Sequence, residues 1–153
     1  MPRLVLLICL VLVLVAAPSL AQAPQHTVTM PDTLKWVEPP TFPGARLAIV
    51  QGDPAKEGPF AYRIKVPANY KVAPHFHKAV ENVTVLAGTF YIGMGPKFDA
   101  GAGQAIPTGG FASVPAIHPH FAWTTAEEAL IQVHGVGPTD ITFVNPADDP
   151  RKK

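Results

Sequence analysis

The chain has 153 residues, 48% of them hydrophobic and 15% charged, with a formal net charge of +1. That length suits one domain with a real core, and so small a charge excludes a basic field that would draw in nucleic acid or an anionic membrane. The 18 prolines and 12 glycines, set among many Val and Thr residues, point to short strands and tight turns.

Residues 1–21 read as a secretory signal peptide: Arg3, an apolar run from Leu4 to Ala17, then small residues up to Ala21. The run is shorter than the ~20 residues of a membrane span, so no stable span is expected after cleavage. An uncleaved N-terminal anchor is the other reading of the same segment. A single arginine there rules out a twin-arginine signal. The expectation is export by the general secretory route, to a periplasmic or extracellular location. The only cysteine, Cys9, lies within the apolar run. The exported domain would therefore be held by its core or by a metal, without disulfides.

Residues 22–44 form an extended, proline-rich segment expected to pack on the domain, with "HTVTM" (26–30) alternating as a short strand would. The domain proper spans 45–145. "ARLAIVQGDP" and "PFAYRIKVP" read as strands around a turn-rich connector, followed by "YKVAPHFH", "ENVTVLAG" and "TFYIGMG". "PKFDAGAGQAIPTGG" reads as a looser piece. Four more strands follow: "FASVP", "PHFAWTT", "ALIQVHGVG" and "DITFVNP". "TAEEA" (125–129) suits a turn of helix or a hairpin tip. The end, 146–153, reads as a polar, solvated tail. About ten short strands with no long helix predict an all-β domain: a sandwich, a jelly roll or a barrel.

The chemistry concentrates in "APHFHKAVENVTVLAG", Ala73 to Gly88. Residues i and i+2 of a strand share a face, so His75 and His77 project side by side. Beyond a short bend, Glu81 can bring a carboxylate to the same point, with Val83 and Val85 sharing its face. The alternative is a pair of exposed strand histidines and a solvated glutamate. Against it stands a second stretch, "GGFASVPAIHPHFAWT", which carries His118 and His120. One more imidazole would complete three nitrogens and one oxygen around a divalent transition metal. Iron, manganese, nickel, copper and zinc all accept such a set.

These motifs resemble the cupin family. "HFHKAVENVTVLAG" follows its first motif: His-x-His, three residues, Glu, six residues, Gly. Gly109, Pro115 and His120 follow its second. Asn69, Ile117 and Thr124 depart from the pattern where Gly, Gly and Asn are usual. The resemblance implies a single-domain, cupin-type jelly-roll β-barrel of antiparallel strands. It implies His75, His77, Glu81 and His120 as ligands of one divalent metal ion, with a small-molecule ligand or substrate. The layout is also similar to acetylacetone-cleaving dioxygenases and to the cupin domains of anti-sigma factors.

His118 competes with His120 on strand parity, but motif spacing favours His120 and leaves His118 exposed or outside the ligand set. His134, on a late strand, is either a core histidine or a catalytic proton carrier. Gln132 and Thr124 are candidate donors orienting the imidazoles. Phe121 and Trp123 have parity opposite to His120 and read as core or oligomer-contact residues. Small cupins are often homodimers, which the resemblance extends to this chain. Functionally the expectation is an oxygenase-like enzyme. A metal-assisted isomerase or lyase, or a non-catalytic small-ligand or metal-binding module, are the alternatives.

Overall fold

A computed structural model describes residues 26–153; the signal-peptide reading lies outside them. Ten strands form two five-stranded antiparallel sheets. In the first, β1 (Arg46–Gln51), β2 (Gly58–Val66), β9 (Ala129–Gly137), β4 (Glu81–Ala87) and β7 (Phe111–Val114) lie in that order. In the second, the order is β10 (Thr142–Phe143), β3 (Lys71–Phe76), β8 (His120–Trp123), β5 (Thr89–Met94) and β6 (Gly103–Pro107). The chain crosses between sheets repeatedly, as in a jelly roll. The all-β expectation holds, with one correction. The edge strands of the two sheets do not pair with each other, so the layers face one another without closing into a continuous hydrogen-bonded barrel.

Strand alternation builds the space between the layers. Phe60, Ile64 and Val66 of β2, Val83 and Val85 of β4, and Ile131 and Val133 of β9 meet Phe90, Ile92, Ile106 and Ala122 of the opposite sheet. Their burial is the main stabilising contribution to the fold. The N-terminal segment closes one flank. Val37 bridges to Leu47, the Tyr70 hydroxyl donates to the Pro43 carbonyl at 3.0 Å, and Phe42 packs against the core.

Several local readings change. "HTVTM" forms no strand; its alternation is real, but the Thr29 hydroxyl bonds the Val50 carbonyl without a ladder forming. "GQAIP", read as loose, is β6. Its glycine is a packing requirement: a Cβ on Gly103 would lie 2.0 Å from the Trp123 ring, and one on its ladder partner Gly93 2.2 Å from Phe121. These two glycines seat the aromatic side chains on the outer face of the second sheet. Phe98 and Tyr91 cover them there, with ring centroids 4.9 Å from Phe121 and 5.0 Å from Trp123. Phe121 and Trp123 are therefore core residues and offer no free oligomer contact. "TAEEA" is neither helix nor hairpin tip, since β8 and β9 belong to different sheets. The tail is not simply solvated: Asp149 is buried, paired to Arg151 at 2.7 Å, and flanked by single 3₁₀ turns. Among the described residues, no helix is long and apolar enough to cross a membrane.

Candidate metal centre

His75 and His120 are direct partners across the β3–β8 ladder, with ring centroids 4.2 Å apart. His77 lies one residue beyond the end of β3, its ring 5.0 Å from that of His75. All three rings are buried, and one nitrogen from each lies within 4.8 Å of the others. Glu81 comes from the opposite sheet as the first residue of β4, in register with buried Val114. Its Oε1 is 3.5 Å from His77 Nε2 and its Oε2 3.3 Å from His120 Nε2. The carboxylate thus faces the imidazoles across the space between the sheets.

The far nitrogens explain how the rings are aimed. Nδ1 of His75 donates to the Ala73 carbonyl at 2.8 Å, and Nδ1 of His120 to the His118 carbonyl at 3.0 Å. Nδ1 of His77 donates to the Asp140 carbonyl. A carbonyl can only accept, so each Nδ1 carries a proton and each Nε2 is the nitrogen turned inward. Nε2 of His77 and Nε2 of His120 are buried without a hydrogen-bond partner, which a folded protein does not leave without a reason. Three imidazoles fixed through Nδ1, with a carboxylate opposite, are a donor set that fits a divalent transition metal.

The electrostatics agree. Burial, then the positive charge that His120 and His77 would carry, holds the His75 imidazole down at about 3, so the ring is neutral at ordinary pH. Burial pushes the Glu81 carboxyl up. The close approach of His120, its Nε2 3.3 Å from Oε2, and the neighbouring imidazoles outweigh it and hold the group at about 2.

The structure places the other candidates elsewhere. His118 is exposed and contributes only its carbonyl. His134 alternates with buried Val133 and pairs with Asn82, so it lies on the outer face of the first sheet, its ring 6.3 Å from exposed Phe111. That position corrects the reading of His134 as a catalytic residue: strand parity puts a sheet between it and the imidazoles. Gln132 shares that face and accepts from Arg63 at 3.1 Å. Thr124 ties β8 to the Pro67 carbonyl and accepts from the Tyr70 amide at 3.0 Å, touching no imidazole. Backbone carbonyls do the orienting instead.

Tyr62 was not among the expected residues. It lies on the inner face of β2 with Phe60 and Ile64 and borders the cavity that contains His75, Glu81 and His120. Burial and the Glu81 charge push its hydroxyl well above the usual tyrosine range, so it stays a hydrogen-bond donor. The alternation of "PFAYRIKV" around one polar ring was the available signal.

No family model matches the chain, and no curated protein matches it by sequence. Solved structures do. The polyketide cyclase RemF from Streptomyces resistomycificus superposes with a TM-score of 0.68 at 19% identity, covering 84% of this chain and 92% of that one. A cupin-2 domain from Rhodospirillum rubrum gives 0.61 at 13% identity, covering 83% and 85%. The chain has the cupin fold. A third cupin-type structure, a candidate acetylacetone dioxygenase from Methylibium petroleiphilum, gives 0.64 at 19% identity, covering 86% and 90%. The cupin resemblance carried by the two histidine motifs is thus met by the fold, with His75, His77 and His120 clustered between the sheets of the cupin.

Proposed function

We propose that this cupin binds one divalent transition metal through His75, His77, His120 and Glu81, and uses it to join a small organic molecule with dioxygen. The observation that carries the reading is the set of three Nδ1–carbonyl hydrogen bonds, which aim three Nε2 lone pairs at one carboxylate-lined point. A bound divalent metal would supply Lewis acidity at that point. The protein's own part is orientation and exclusion of water. The Glu81 carboxylate offsets the cation's charge, the Tyr62 hydroxyl offers a donor to a substrate oxygen, and aliphatic side chains keep the space dry. When a carbon–carbon bond of the substrate is cleaved and both oxygen atoms end in the products, the substrate supplies all four electrons, so no external reductant is required. The likeness to a candidate acetylacetone dioxygenase supports this chemistry.

A second reading, binding of a small ligand or of metal without turnover, draws on one feature. With His134 on the outer face, the inner cavity holds no titratable side chain beyond the candidate ligands His75, Glu81 and His120, and Tyr62 and Tyr70, among the described residues. In either case the N-terminal segment, read from sequence alone, would place the metal's acquisition outside the cytoplasm.

Elemental analysis of protein purified from its native compartment should find about one metal per chain; none would remove the enzymatic readings. The iron-loaded protein should then consume oxygen with β-diketones or catechols. No uptake with either class would favour the binding reading.

A further inference from the structure

Two chambers of different character border the imidazoles. The inner one, about 40 Å³, borders His75, Glu81 and His120 and is otherwise walled by side chains such as Ile64, Val72, Phe90 and Val133. The outer one, about 160 Å³, borders His77 and opens between Leu47, Pro54, Thr139 and Asp140. Phe42 and Tyr62 line both, which makes them the partition.

Size and polarity separate what each can hold. One water needs roughly 10–15 Å³ of such space, while a dry apolar hole of roughly 150 Å³ takes benzene. At about 40 Å³ the inner chamber admits a molecule of two or three heavy atoms and no ring. At about 160 Å³ the outer chamber admits a ring-sized molecule. Its walls also carry the Thr139 hydroxyl and Asp140, whose Oδ1 is buried without a partner. The Thr139 hydroxyl is a group that can pair with a hydroxyl on a ligand, and the Asp140 carboxylate, which also holds Lys78 at 2.8 Å, keeps that rim polar. Around the inner chamber, Tyr70 spends its hydroxyl on the Pro43 carbonyl, and most of the remaining wall is hydrocarbon, which favours an apolar gas over water. Neither chamber is lined by Lys or Arg, so neither is built for a carboxylate.

We propose that the chambers divide two co-reactants: the inner one docks an apolar diatomic gas, and the outer one binds an uncharged, hydroxyl-bearing organic molecule of about ring size. Naming the gas as dioxygen rests on the oxygenase reading above; the division itself does not.

Xenon serves as the gas probe, followed by ¹²⁹Xe NMR and xenon-pressurised crystals of the metal-free protein. 4-Fluorophenol serves as the organic probe, followed by ¹⁹F NMR on zinc-loaded protein. Wild type should show one saturable xenon site beside Ile64 and Val133, undisturbed by fluorophenol. Val133→Ile and Val72→Leu, made separately so that one misfolded variant does not end the test, each fill part of the inner chamber. Each should weaken xenon binding at least about fivefold and leave fluorophenol binding within about twofold. Leu47→Trp, which fills the outer chamber, should do the reverse. A folded wild type with no inner xenon site, or competition between xenon and fluorophenol, would overturn the division. If xenon docks inside yet the iron-loaded protein consumes no oxygen, the oxygenase reading fails and the division stands. Oxygen uptake without an inner xenon site sinks the division alone.

Discussion

His75 and His120 face each other across the β3–β8 ladder, and each donates Nδ1–H to the carbonyl two residues earlier, over an intervening proline. The two sequences are Ala73-Pro74-His75 and His118-Pro119-His120. Proline holds φ near −65° and has no amide to give the ladder, and the β3 register shifts between Val72 and His75, around Pro74. The carbonyls of both prolines are used as well, accepting from Val144 at 2.9 Å and Gly95 at 2.8 Å. Each Pro-His pair is thus a small mount that turns an imidazole inward.

Relaxing the mount should loosen the metal. Pro74→Ala and Pro119→Ala each free φ and offer the ladder a new donor, so the Nδ1–carbonyl bond is no longer enforced. The expected outcome is a folded protein with metal affinity lowered up to about tenfold, in the lower range for outer partners of metal ligands. Competition against a chromophoric chelator measures it; unchanged affinity in both variants would contradict the account.

Removing a ligand should cost more than disturbing its support. His77→Ala and Glu81→Ala are expected to lose more affinity than the ~10–100-fold of an outer partner. His118→Ala and His134→Ala should retain near-native affinity, because the first contributes only its backbone carbonyl and the second lies on the outer face. Metal content after dialysis against a weak chelator separates the two groups, and a reversal would overturn the assignment.

The aromatic seats on the second sheet are a stability feature, separate from the site. Gly93→Ala and Gly103→Ala each drive a methyl into a ring at 2.2 and 2.0 Å respectively. A destabilisation of about 1–3 kcal/mol is expected from such overpacking, read as a lower urea midpoint. Trp123→Leu should recover part of the Gly103→Ala loss, since it removes the clashing ring edge. Additive losses in the double variant would count against the seat.

Acid should destabilise the metal-free protein. His75 is held at about 3 when folded, against 6.5 for a free imidazole. Between those values the unfolded chain binds more protons than the folded one, so stability falls as pH falls. Glu81 acts in the same sense lower down: held at about 2 against 4.5, its contribution is full above 4.5 and disappears as pH drops through 2. Urea midpoints at pH 7, 5.5 and 4 should decrease in that order. A constant midpoint would show that the buried ring is not neutral in the folded state.

Much of this was written locally. The two-residue strand period put His75 beside His77, and the spacing to Glu81 and from Pro115 to His120 singled out the residues that the fold brings together. Residues that depart from the motif also make sense afterwards. Asn69 and Ile117 both adopt left-handed backbone, with φ of 57° and 60°, where glycine would sit without strain. Asparagine tolerates that region, whereas a β-branched residue is strained there. His134 and Tyr62 were misread or missed although alternation marks both, because parity alone does not say which face of a strand looks inward.

The candidate metal-ligating residues, and the all-β class that carries them, were legible in the chain's own order, since both show in short-range spacing. Which nitrogen each imidazole turns inward was decided only by folding. The Asp140 carbonyl that holds His77 lies 63 residues away along the chain, and Glu81 reaches the imidazoles only because its sheet stacks on theirs. The two chambers likewise exist only where Phe42 and Tyr62, from separate segments, come to share a wall. Contacts between distant segments are set by how the layers pack, and no local pattern encodes that packing.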